Sequence, residues 1–113
     1  MQKEDCIFCK IAKGEIPCKF VYENEDVVAF DDLNPQAPIH TLVIPKAHYD
    51  SLDELNDSAL LGKLLLAVKE VAKIKGAEKG YRTVINTKKE GGQEVFHIHI
   101  HVLGGRQMLW PAG

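Results

Sequence analysis

The stretch "VFHIHIHVLGG", Val95 to Gly105, alternates imidazole and aliphatic side chains at strict period two. Successive side chains of an extended strand point to opposite faces. His97, His99 and His101 therefore share one face, with neighbouring Cβ atoms about 6–7 Å apart. Ile98, Ile100 and Val102 share the other. The pattern predicts a strand over "EVFHIHIHVLG", greasy on one side and imidazole-lined on the other. The chain has five histidines, and three of them lie here. Thr or Val would serve a strand better, and protonated imidazoles repel one another, so the row calls for a chemical explanation.

Two chemistries suit it. His-x-His on a strand can present two nitrogens to zinc. Alternatively, a neutral imidazole attacks phosphorus while its neighbours bind phosphate oxygens and protonate the leaving group. The ordinary histidine pKa of about 6.5 fits both roles. The flanks favour phosphate. In "EGGQ", Glu90 to Gln93, two glycines allow backbone N–H groups to approach an anion closely. Asn86 closes the preceding strand with a side chain that both donates and accepts.

Outward from this stretch, the chain reads as one domain over residues 1–113. "DCIFCKIAKGEIP" predicts a short helix capped by Asp5 and ended by Gly14. "KFVYE" and "DVVAFDD" form a hairpin around "NE". "HTLVIP" is apolar on both faces, as a central strand is. His40 and His48 bracket it, and if it lies beside the histidine strand all five histidines converge. Asp57 caps the main helix. Leu60, Leu61, Leu64, Leu65, Val68, Val71 and Ala72 recur along it at helical spacing, and Gly76 stops it. "YRTVIN" is a fourth strand. The order helix, three strands, helix, two strands predicts an α+β fold: an antiparallel or mixed sheet with helices on one face.

Composition narrows the function. There are 14 basic and 16 acidic residues, a net charge of −2, and no basic stripe with interleaved aromatics. That argues against polymeric nucleic acid as partner. No apolar run reaches the roughly 18 residues of a membrane span, and the N-terminus lacks a secretory core, so the expected location is cytoplasmic. Three cysteines, Cys6, Cys9 and Cys18, do not suit a disulfide framework. The Cys6-x-x-Cys9 pair lacks the thioredoxin-like setting of a redox motif, and two packed free thiols remain an alternative to a metal pair.

The motifs together resemble a known family. "HIHIHVL" is similar to the His-x-His-x-His-x-x signature of the histidine-triad (HIT) superfamily. "FCKIAKGEIP", "VVAFDDLNPQAPIHTLVIPKAH", "VINTKKEGGQ" and "HVLGGRQMLWPAG" resemble its Hint branch, so the likeness spans nearly the whole chain. The resemblance implies a five-stranded antiparallel sheet with two helices, pairing into a ten-stranded sheet in a homodimer. It implies binding of purine nucleoside monophosphates and hydrolysis of nucleoside phosphoramidates, without a cofactor for catalysis. His99 matches the nucleophile, held by the His97 carbonyl. His101 matches the phosphate contact and His40 a supporting histidine. Asp32 matches the ribose carboxylate, with Phe30 and Leu33 at the base. Asn86, Gly92 and Gln93 match the phosphate and leaving-group loop, and Trp110 a tail that reaches the second subunit's site. Bacterial-type members further imply a structural zinc on Cys6, Cys9, His48 and His97. Glu94 departs from the serine or threonine common in the branch. The alternatives are dinucleoside polyphosphate hydrolysis, a zinc-dependent hydrolase with the triad as ligands, and a nucleotide-binding scaffold.

Overall fold

In the computed structural model, residues 3–113 are described. Helix α1 (Ile7–Ala12) precedes strands β1 (Phe20–Glu23), β2 (Val27–Asp31) and β3 (Ile39–Pro45). A 3₁₀ turn (Leu52–Glu54) leads into α2 (Ser58–Lys75), followed by β4 (Tyr81–Val84) and β5 (Ile100–Gly104). The strands form one sheet in the order β1-β2-β3-β5-β4, and every neighbouring pair is antiparallel. β3 is central and lies against β5, as its apolar composition predicts. The hairpin turn is closed by Asn24, whose Oδ1 accepts from the N–H groups of Asp26 and Val27 at 2.9 Å.

The two sheet faces have separate cores. On one, Leu60, Leu64, Val68 and Val71 of α2 pack on Val27, Ala29, Val43, Ile100 and Val102. Each fully buried Leu or Val of this kind contributes about 1.5–3 kcal/mol. On the other, Phe8, Cys9 and Ile11 of α1 pack on Val28, Phe30, Leu42 and Ile44. The helices therefore cover opposite faces, not one. This is why β3 is apolar on both sides. It also means that the imidazole face is itself partly roofed, by α1.

Other local differences have physical causes. α1 is capped by Cys6, not Asp5: the Cys6 Sγ accepts from the Cys9 N–H at 3.3 Å. Gly14 follows the helix at φ 81°, the left-handed conformation expected of it. Asp57 caps α2, accepting from Ala59 and Leu60, and Gly76 ends it at φ 77°. β4 stops at Val84, so Asn86 lies beyond it. β5 begins only at Ile100, which pairs with Val43. Continuing that register would set Ile98 against Pro45, which has no N–H for the ladder. The Ile98 N–H turns instead to the Tyr49 carbonyl at 2.7 Å. His97 and His99 thus precede the strand, while the alternation continues: Ile98 joins the α2 core.

Candidate active site and metal centre

The five histidines converge along one face. His40 meets His101, His101 meets His99, and His97 meets His48, with ring centroids 5.0–5.2 Å apart. Phe8 of α1 stands edge-on to both His97 (5.9 Å) and His99 (5.2 Å). Strand register sets this cluster: His101 opposes Leu42, two residues along β3 from His40.

Hydrogen bonds fix the protons. His99 Nδ1 donates to the His97 carbonyl at 2.8 Å, so its Nε2 carries the lone pair. Burial pushes the His99 pKa down, which keeps that lone pair available at neutral pH. His40 Nδ1 accepts from the Gln36 N–H at 2.9 Å, so its proton is on Nε2. That Nε2–H faces His101 Nδ1 at 2.9 Å and the Asp32 carboxylate at 3.4 Å. His101 then carries its own proton on Nε2, a buried atom with no partner among the described residues. Burial, reinforced by its histidine neighbours, holds His101 down to about 4. The result is a neutral acceptor on His99 beside an unspent donor on His101.

Both rings line a cleft of about 560 Å³, a size typical of small-molecule sites. Ile16, Phe30, Leu42 and Val95 give it apolar walls, and Asp32, Leu33 and Glu94 stand among the remaining lining residues. Leu33 is fully exposed, so it is a surface for a flat ligand rather than a core residue.

Four of the expected substrate-binding residues are absent from the cleft lining. Gln93 is buried, and its side chain braces loops: Nε2 donates to the carbonyls of Asp50 and Val95, and Oε1 accepts from Lys88. The N–H groups of Gly92 and Gln93 are spent within the turn, on Lys89 and Lys88. The glycine pair serves the turn itself. Gly92 has φ 87°, and a Cβ on Gly91 would collide with the Thr87 carbonyl oxygen. Asn86 is half-buried outside the lining, and Trp110 is exposed in the tail.

His97 belongs to a second group. Its Nδ1 lies 3.3 Å from Cys6 Sγ and 3.5 Å from Cys9 Sγ, and His48 Nδ1 lies 3.3 Å from Cys9 Sγ. All four ligand atoms fall within 4.8 Å of one another. Tetrahedral zinc sets sulfur and nitrogen ligands about 3.5 Å apart, so the quartet fits that ion. The outer contacts fit too. His97 Nε2 donates to the Pro45 carbonyl at 2.8 Å and His48 Nε2 to Asp50 at 2.6 Å, which leaves both Nδ1 lone pairs facing the thiols. The His48 contact holds the Asp50 carboxyl below its ordinary range. The triad is therefore divided: His97 faces the cysteines, His101 faces His40 and Asp32, and His99 faces the cleft.

Sequence reasoning missed Phe8, Pro45 and Asp50. Asp50 had a faint signal as a carboxylate two residues after His48. The Pro45 carbonyl had none, because backbone acceptors carry no residue signature.

Comparison with known proteins agrees with this architecture. The HIT domain profile matches residues 13–108. Protein HitA of Neisseria gonorrhoeae is 54% identical over 103 residues, covering 89% of this chain and 96% of HitA. The 14 kDa zinc-binding protein of Zea mays is 54% identical over 112 residues, covering 95% of this chain and 87% of that protein. The crystal structure of a HIT family hydrolase from Legionella pneumophila Philadelphia 1 superposes with TM-score 0.92 at 52% identity, covering 96% of this chain and all of that one. With its divided histidine triad, five-stranded sheet and full-length relatives, the chain belongs to the HIT domain family.

Proposed function

We propose that this chain is a hydrolase of purine nucleoside phosphoramidates, cleaving the P–N bond through a nucleotidyl-His99 intermediate. The observation that carries the reading is the proton arrangement: a fixed lone pair on His99 Nε2 beside an unpartnered His101 Nε2–H, both in the cleft. The nucleoside fills the apolar cleft, with the base against Phe30 and Leu33 and the ribose near Asp32. His99 Nε2 attacks phosphorus, a P–N bond to the imidazole forms, and the bond to the amine breaks. The departing nitrogen takes one proton from the cluster, where His101 Nε2–H is the unpartnered donor to phosphate or amine. Water then attacks the same phosphorus, His99 leaves, and the water's proton returns to the cluster. No step needs a metal. The intermediate is directly testable: rapid quench with a phosphoramidate followed by mass spectrometry places AMP on the peptide bearing His99. A turnover-competent enzyme with no adduct, or an adduct elsewhere, contradicts the mechanism.

Cys6, Cys9, His48 and His97 would hold a structural zinc, supported by the quartet's geometry and by a zinc-binding relative. When bound, the ion supplies a rigid closed link between α1 and the histidine segment. The division of the triad counts against a catalytic metal on its three rings, because His97 faces away from the cleft pair. We also infer a homodimer joined at a free sheet edge. β4 is such an edge, and Arg82 on it ties down the tail by donating to the Leu109 carbonyl at 2.7 Å. No helix among the described residues is long and apolar enough to cross a membrane. Three thiols without disulfides suit the cytoplasm.

A further inference from the structure

Beside the nucleotide cleft lies a second groove of about 330 Å³. The two share a wall formed by Ile7, Glu94 and Val95. His99 and His101 line the cleft and not the groove, so the shared wall stands between the histidine pair and the groove. In an in-line displacement the departing group leaves opposite the nucleophile, and a leaving group that extends past the shared wall enters the groove. Phe96, half exposed, and Ile7 give the groove apolar contact area.

Its charge is informative. Lys3, Asp5 and Glu94 are its charged lining residues apart from the His48 ring, which is occupied by Cys9 and Asp50. Glu94 is exposed and has no ion-pair or hydrogen-bond partner among the described residues. Its neighbours Gln93 and Val95 are fixed by the brace to Asp50, so its backbone is held at the wall. The negative charge of Glu94 also reaches His99, whose proton affinity it raises. A carboxylate at this point repels an anionic leaving group and attracts a cationic one.

We propose that Glu94 selects the leaving group: it pairs with a positive charge carried by the departing amine, so the chain prefers phosphoramidates of amines that bear a second, protonated nitrogen. The inference rests on the phosphoramidase reading above and adds its substrate class. The phosphoramidate nitrogen itself is uncharged, so the charge recognised is a distal ammonium a few bonds away, within reach across the shared wall.

Three adenosine 5′-phosphoramidates of similar length test it: of propylamine, of 1,3-diaminopropane and of β-alanine. Wild type should cleave the diamine compound with the highest kcat/KM and the β-alanine compound with the lowest. Glu94→Gln, nearly isosteric, should reduce the diamine-to-β-alanine ratio about tenfold, the scale of a partly exposed charge pair gained and lost. Glu94→Lys should invert the order. Added salt should shrink the wild-type preference. A ratio that Glu94→Gln and Glu94→Lys leave unchanged overturns the assignment of Glu94 while AMP release from all three compounds keeps the phosphoramidase reading. No AMP release from any of them overturns both.

Discussion

His97 serves two sites with different atoms. Its ring nitrogen Nδ1 faces the cysteines, and its carbonyl holds the proton of His99. The metal quartet and the proposed nucleophile are thus linked through a single residue, His97. The partners that aim the ring matter as much as the ligands. Removing the carboxylate in Asp50→Ala should weaken zinc affinity about 10- to 100-fold, measured by competition with a coloured chelator; an unchanged affinity would mean that His48 is not oriented through Asp50. His101 makes a separate prediction. Its pKa is about 4 in the fold against about 6.5 unfolded. The unfolded chain therefore takes up its proton first as pH falls. The stability that depends on neutral His101 is present above pH 6.5 and is lost progressively from there to about 4. After allowance for partial exposure the loss is about 2 kcal/mol. Urea unfolding at pH 7 and pH 4.5 checks it, and equal midpoints would contradict it.

At the level of elements, the caps and strands show what local rules decide. Asp57 accepts from two otherwise unpaired helix N–H groups. Asp57→Ala should cost about 1 kcal/mol and lower Tm by about 4 °C, read by thermal unfolding. A Tm unchanged within a degree would remove the cap from the stability of α2. Such features were legible in sequence because they depend on neighbours in the chain: Asp57, Gly76, the Asn24 turn and the period-two histidines. What was not legible depended on contacts distant in sequence. The start of β5 is set by Pro45 across the sheet. The cap of α1 fell to Cys6 because its sulfur turns inward toward His97 and the Cys9 N–H. Gln93 resembles a phosphate-loop residue in sequence, yet its side chain is consumed by carbonyls from two loops. The opposite placement of the helices could have been read from β2 and β3. "VVAF" and "LVI" are apolar at every position, so each face needs its own cover.

On the scale of the whole molecule, the sheet separates two tasks. The face under α2 supplies a continuous apolar core. The face under α1 carries the chemistry, with the quartet at one end, the His40–His101 pair at the other and His99 between them. In the proposed reading, a metal on the quartet holds structure without entering turnover. The measurement that tests this most directly is AMP release from an adenosine phosphoramidate, with and without chelator, for wild type and His99→Ala, with circular dichroism confirming that each sample is folded. The account predicts release by wild type that survives chelation while the fold persists, and a fall of roughly 10³-fold or more in His99→Ala with AMP binding kept. Release that stops on chelation of a still-folded protein, or that continues at the wild-type rate in His99→Ala, would contradict it.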